Sequence, residues 1–448
     1  MNKRILYGVL LILSIGSVGF IVMKYQFNQQ KKAGIVYSLL PRKGMLSKTD
    51  DWIKTQKNVT LLQNKIAANA ADTKSLIALA NYFILEARAT GNYSYYDKAA
   101  MKLVNDVLKI DPNNFDALTL KSMINMSQHH FSEGLAIAQQ ARNIIPYNAF
   151  VHGILVDGYV ELGNYDSALA SAQKMMEIRP DLRSYARASY LREIHGDYQG
   201  AIEAMKIAIA AGAPGDEATE WSRIQLGNLY ENIGDLKNAE MNYQIALHER
   251  PGYMYALAGM ARLSLAVKDY PKAIDYYQQA AKDANEGAFK EELANVYFLS
   301  GQTEKATKLT KEVIDELEKG AQSANADENI GHYADKELAY AYLSVSNFDK
   351  ALEYALLEYN RRPNNIEVNE TVAWMYYKKG EASKALPYLQ AAFVTNSKNP
   401  TLLCRAGLIY AKTGDDNNAK KLLQNGLQGN PNIDELLKTA AIQVEKVL

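Results

Sequence analysis

The sequence predicts an all-α solenoid, a row of about ten stacked helical hairpins, preceded by one N-terminal transmembrane helix. Three observations carry this. Prolines recur at a fixed interval: Pro112, Pro146, Pro180 and Pro214 are each 34 residues apart, and Pro363 and Pro431 are separated by 68. A small residue recurs on nearly the same period, and an uncharged run of 19 residues, Ile5 to Met23, lies outside both patterns.

The small-residue ladder is Ala100, Gly134, Ala168, Ala201, Ala239, Ala273, Ala306, Ala351, Ala385 and Ala419. Its steps are 34, 34, 33, 38, 34, 33, 45, 34 and 34. In clean units a proline follows twelve residues later, as Pro180 follows Ala168 and Pro251 follows Ala239. Each unit reads as helix A, a turn, then helix B. A glycine such as Gly163 or Gly234 closes helix A, where a left-handed residue is required. The small residue lets helix B approach helix A, and the late proline ends helix B. A hairpin cannot bury its apolar face alone, so neighbours must stack.

One unit reads Leu226-Gly227, Tyr230, Gly234, Ala239, Tyr243, Ala246, Pro251, and Val156, Tyr159, Gly163, Tyr165, Ala168, Pro180 repeats it. Gly407, Tyr410, Gly414, Ala419 and Pro431 do the same. This pattern resembles the tetratricopeptide repeat family, in a membrane-anchored bacterial form, over about residues 75 to 433. The resemblance implies a right-handed superhelix whose concave groove, built by the A helices, holds a protein or peptide partner. Counted back from the ladder, the groove positions hold Trp221, Asn228, Tyr255, Arg262, Asn295, Phe298, Tyr333, Tyr340, Trp374 and Tyr377. Tyr333, Tyr340, Trp374 and Tyr377 fall on adjacent repeats and are expected to form one aromatic patch, unless the rings only pack between helices. The clamp that some relatives close on a peptide carboxylate is incomplete: Asn228 and Asn295 match one element, but Ile224 stands at the lysine position.

Two ladder steps are long. The step of 38 places extra residues near Gly212-Ala213-Pro214-Gly215, and the step of 45 places eleven within Glu318 to Gly331, read as a lengthened helix B and a longer loop. The domain reading is 1–4 a cytoplasmic tail, 5–23 a signal anchor, 24–46 a linker, 47–70 a lead-in helix, 71–433 the solenoid and 434–448 a capping helix. Ser47 with Asp50 has the form of a capping box at the lead-in helix.

The run Ile5–Met23 is long enough to span a bilayer core of about 30 Å. A cleaved signal peptide, with Ser17-Val18-Gly19 as its site, and a buried core helix are the rival readings. Lys3-Arg4 favours an amino terminus in the cytoplasm and repeats outside it, periplasmic in a bacterium. Lys24, Lys31, Lys32, Arg42 and Lys43 pull the other way and would place the repeats in the cytoplasm.

Composition narrows the function. Lys plus Arg and Asp plus Glu are 50 each, so no net charge draws the chain to nucleic acid. Cys404 is the single cysteine, which excludes an internal disulfide. No phosphate loop, dinucleotide fingerprint or His-Glu-x-x-His occurs. His129-His130 read as surface residues, Glu291-Glu292 as exposed helix positions, and His195 as a helix-end histidine beside Gly196. No cofactor, metal or catalytic site is expected. The expected function is a membrane-tethered scaffold for protein–protein interaction in bacterial envelope assembly. The alternatives are a cytoplasm-facing assembly factor and a small-molecule binder or enzyme with a closed pocket.

Overall fold

The computed structural model describes residues 37–283, 287–326 and 331–448. The chain divides into two units, Met1–Leu40 and Pro41–Leu448, and the second holds everything described below. It opens with a 3₁₀ turn, Gly44–Lys48, and helix α1 (Asp50–Ala68). Ten hairpins follow among the described residues. They are α2 (Thr73–Thr90) with α3 (Tyr93–Ile110), α4 (Phe115–Ser127) with α5 (Phe131–Ile144), and α6 (Ala149–Glu161) with α7 (Tyr165–Ile178). Next come α8 (Leu182–Ile194) with α9 (Tyr198–Ala210), α10 (Glu217–Asn232) with α11 (Leu236–Glu249), and α12 (Met254–Ala266) with α13 (Tyr270–Asp283). The last four are α14 (Gly287–Leu299) with α15 (Thr303–Ala326), α16 (Asp335–Ser344) with α17 (Phe348–Arg361), α18 (Ile366–Lys378) with α19 (Ala382–Ala392), and α20 (Pro400–Thr413) with α21 (Asp416–Gly429). A final helix, α22 (Glu435–Glu445), packs on both α20 and α21.

The ladder residues are the contact points of each hairpin. All nine alanines are buried, eight of them with no exposed surface. Tyr243 shows how tight the contact is. Its ring lies between α10 and α12, against Gly227 and Gly259; a methyl group on Gly227 would come within 2.3 Å of the ring. The turn after helix A takes a left-handed residue, Gly163 at φ 73° and Gly234 at φ 77°. Where glycine is missing, His129, Lys268 and Ser346 adopt the same conformation, at φ 62°, 62° and 58°. Asn164, Asp197, Asp235, Asn347 and Asp415 then cap the B helices through their side-chain oxygens.

One local expectation changes and one holds. Ser47 does not cap α1, because its hydroxyl donates to the Gly44 carbonyl inside the 3₁₀ turn; Thr49 is the N-cap residue. The eleven-residue insertion extends α15 to 24 residues. The placement as a single-pass membrane protein with extracytoplasmic repeats is corrected. Among the described residues no helix is long and apolar enough to cross a membrane. The longest, α15, carries charge at every turn from Glu304 to Lys319. The run 5–23 that prompted the anchor lies outside the described residues.

The solenoid returns onto itself. Each A helix touches the A helix of the next hairpin through most of the row, α2 with α4, α4 with α6, α6 with α8, α8 with α10, α10 with α12, α16 with α18 and α18 with α20. The A helices are therefore the short-radius, inner wall. After five to six hairpins the loop before an A helix lands on the A–B turn of an earlier hairpin. Asn365 Nδ2 donates to the carbonyls of Val160 and Glu161 at 3.3 and 3.1 Å. Thr395 Oγ1 donates to Ile194 O at 2.6 Å, and Asn430 Nδ2 to Glu231 O at 2.8 Å. The Tyr333 amide donates to Gln128 O at 3.2 Å. The last carbonyls of a helix have no partner within it. Here side chains from the next superhelical turn supply the partner of Glu161 O and Ile194 O, and a second donor to Val160 O and Glu231 O, which also accept from Gly163 N and Gly234 N.

Replacing the three donors while keeping the shapes, Asn365→Asp, Thr395→Val and Asn430→Asp together, removes these bonds but leaves the acceptor oxygens that cap local turns. The triple variant is expected to unfold at lower denaturant, by about 1–3 kcal/mol for each of the two carbonyls, Glu161 O and Ile194 O, left without a partner, and to show a larger radius of gyration by solution X-ray scattering. An unchanged scattering profile would remove the clasp from the account. Gly227→Ala is expected to destabilise by about 1–3 kcal/mol through overpacking against Tyr243, measured by chemical denaturation.

Candidate functional site on the inner wall

The A helices carry the candidate residues except Tyr333, and the structure gathers seven of the ten into three groups. Trp221, Tyr255 and Phe289 form an edge-to-face row across α10, α12 and α14, with centroids 4.9 and 6.1 Å apart. Asn228 and Arg262 belong to a network with Tyr243 and Glu231. Arg262 Nη2 donates to Glu231 Oε2 and Asn228 Oδ1, both at 2.7 Å, and the Tyr243 hydroxyl also meets Asn228 Oδ1 at 2.7 Å. These side chains are already engaged within the chain. Asn295 and Phe298 are exposed on α14, Phe298 at 52 %.

Tyr340, Trp374 and Tyr377 come together on α16 and α18 around Arg405 of α20. The Trp374 and Tyr377 rings stack at 5.0 Å. The Arg405 guanidinium lies over Trp374 at 5.0 Å and Tyr340 at 5.7 Å, and donates to the Tyr340 hydroxyl at 3.0 Å and Glu370 Oε1 at 3.1 Å. Trp374 is buried at 8 %, whereas Tyr340 and Tyr377 are half-buried. Tyr333 stands apart from this group. It stacks on His130 at 4.2 Å, under the Arg361 guanidinium, at the seam between superhelical turns.

Because the turns stack, α8 of the first faces α16, α18 and α20 of the second. A cleft of about 320 Å³ lies between them, lined by Tyr190, Glu193, Lys336, Tyr340, Glu367, Glu370 and Thr401 among others. A second cleft of about 490 Å³ includes Asn228, Arg262, Tyr270, Asn430 and Glu435. Lys336 Nζ meets Glu367 Oε2 at 2.7 Å and holds the Glu367 carboxyl below its usual range. Burial raises Glu370 despite Arg405. Burial also pushes Glu193 up to about 7, against the pull of the Asn232 amide, and Glu161 up to about 7, against Arg362. Burial, with the carboxyls of Glu367, Glu161 and Glu193 nearby, pushes the Tyr190 hydroxyl well above its ordinary range.

Sequence reasoning missed Glu367, Lys336, Glu370 and Arg405. Glu367 had a signal, since it stands 34 residues after Tyr333 at the same groove position. Arg405 had none, because its role comes from ring contacts made across three helices. Glu291 and Glu292 are half-buried rather than exposed, and burial pushes Glu291 up to about 7.

An inner wall of A helices, an outer layer of B helices and a ladder of buried alanines define a helical-hairpin repeat protein. The family model for the tetratricopeptide repeat matches residues 224–289. A TPR repeat-containing protein of Methanocaldococcus jannaschii is 24% identical over 375 residues, covering 78% of this chain and 64% of its own length. Tetratricopeptide repeat protein 21A of Homo sapiens is 23% identical over 363 residues, covering 75% of this chain and 24% of its own. This chain thus spans less than two thirds of either relative. A thermophilic TPR protein of Thermus thermophilus, of known structure, is 19% identical over 46% of this chain and 98% of its own, with a TM-score of 0.36. The family match and the two relatives support the tetratricopeptide repeat family for this chain.

Arg262→Ala leaves Glu231 without its cation and is expected to cost about 1–3 kcal/mol, read by chemical denaturation. The raised carboxyls set a pH dependence. Between the usual carboxylate range and about 7, the folded chain binds more protons at Glu193 and Glu161 than the unfolded chain does. Stability therefore falls as pH rises through that window and levels off above it. Glu193→Gln is expected to reduce the fall in denaturation midpoint between pH 5 and 8; an unchanged fall would contradict the assignment.

Proposed function

We propose that this chain is a protein-binding scaffold that receives an extended segment of a partner on the inner wall of its second superhelical turn. The observation that carries this is the convergence of Tyr340, Trp374 and Tyr377 around Arg405, beside the cleft lined by Glu367 and Glu370. Aromatic rings bury large area at low entropic cost, which makes them binding anchors. Trp374 is already buried, so the new contact falls to the half-buried faces of Tyr340 and Tyr377. The cleft holds three carboxyls, Glu193, Glu367 and Glu370, and one lysine, Lys336. Tetratricopeptide repeat proteins are in general non-enzymatic scaffolds, and the internal pairing of the polar groups here suits holding rather than chemistry.

The test is site-specific photo-crosslinking in the native cell. A photoreactive residue at Tyr377 is expected to give a discrete partner adduct that weakens with Tyr340→Ala. The same residue at Glu353, exposed on outer helix α17, is expected to give little. Adducts from Glu353 alone would overturn the inner-wall reading.

A further inference from the structure

The seam between superhelical turns begins at an unusual turn. His129 occupies the left-handed position that glycine takes in most other hairpins. The loop ahead of α16 lies directly on it. Beyond the hydrogen bond that the Tyr333 N–H donates to Gln128 O, His130 Nε2 donates to Gly331 O at 2.5 Å, and His129 Nδ1 meets Tyr333 O at 2.9 Å. This brings His129, His332 and Glu337 together, with one ligand atom from each lying within 4.8 Å of the others.

Four features give this cluster the properties of a metal site. A carbonyl can only accept, so the bond to Tyr333 O fixes the His129 proton on Nδ1 and leaves Nε2 with its lone pair. That is the outer-shell arrangement by which proteins orient a ligating imidazole. The His332 ring lies 4.2 Å from the His129 ring, tilted at 50°. Glu337 Oε2 is buried without a hydrogen-bond partner, as is Oε1 of Gln128, the residue next to His129. A buried polar atom left unpaired is costly, and a cation answers that cost. The nearby cations Arg362 and Lys336 are themselves paired, with Glu161 and Glu358 and with Glu367.

We propose that His129, His332 and Glu337 bind one divalent transition-metal ion, matched to Zn²⁺, which pins the second superhelical turn to the first. Two imidazoles and a carboxylate are a recurrent zinc donor set, with water as the fourth ligand. At zinc bond lengths of about 2.1 Å the donor atoms stand about 3.4 Å apart, so small side-chain rotations close the site. Imidazole disfavours Mg²⁺ and Ca²⁺, which seek oxygen. His129 is about 200 residues from His332 and Glu337 in sequence, so occupancy would report on the stacked form of the solenoid.

The experiment is calorimetric titration of tag-free full-length protein, stripped with chelator, with ZnCl₂. One ion per chain is expected, with no heat from MgCl₂, and a rise in melting temperature on Zn²⁺ addition. His332→Ala, at an exposed residue, and Glu337→Gln are each expected to weaken binding by about tenfold or more while keeping the helical circular dichroism. Without any variant, Zn²⁺ is expected to shift the side-chain nitrogen resonances of His129 and His332 in histidine-labelled wild type. Absence of Zn²⁺ binding, undiminished binding in both variants, or unshifted resonances at these two histidines would each overturn the proposal.

Discussion

The structure depends on how the C-terminal carbonyls of its inner helices are satisfied. Every α-helix leaves its last carbonyls unpaired. In α6 and α8 they are met by Asn365 and Thr395, side chains that arrive one superhelical turn later, and in α10 Asn430 adds a second donor to Glu231 O beside the Gly234 amide. Asn365 does two jobs with one amide. Its oxygen accepts from Glu367 N and Val368 N to start α18, while its nitrogen closes the end of α6. An open repeat array is held only by neighbouring hairpins. This one adds long-range bonds, and they recur at nearly constant sequence separation, from the Asp51–Arg250 ion pair to Glu231 with Asn430.

Stacking of the turns changes what the inner wall can offer. In a loosely wound solenoid the concave face is open along its side. Here α8 closes over α18, and the wall residues divide between those spent on internal networks and those left at the clefts. Arg262 and Asn228 are of the first kind, Tyr340 and Tyr377 of the second. The carboxyls enclosed by the same stacking, Glu161 and Glu193, lose solvation and hold their protons up to about 7.

The hairpin unit was legible in the sequence because one small residue and one proline recur at fixed spacing, and each maps to a single close contact or a single helix end. Ala239 and Ala385 behave as that reading expects, and so does the lengthened α15. The superhelical seam was not legible. Its pitch is the sum of small rotations over five to six hairpins, which no local motif encodes. Asn365 looks like an ordinary helix cap in sequence, and Thr395 looks like a loop residue. His129 and His130 read as surface residues because a helix was assumed there; the left-handed turn instead turns them toward 331–333, and His130 is buried at 3 %. The aromatic set was partly legible: spacing selects Tyr333 together with Tyr340 and Trp374, yet Tyr333 precedes α16 and is drawn to the seam instead of the inner cluster.

The central claim is that the turns are stacked in solution by these bonds, and one amide reports on it directly. Ile366 N–H stands at the first position of α18, where no partner exists within the helix, and it donates to the Tyr165 hydroxyl at 2.9 Å, across the seam. Hydrogen–deuterium exchange of the full-length protein should show this amide protected in wild type and released in Tyr165→Phe. Exchange of Ile366 at the unprotected rate in wild type would mean that the turns stand apart and would contradict the account.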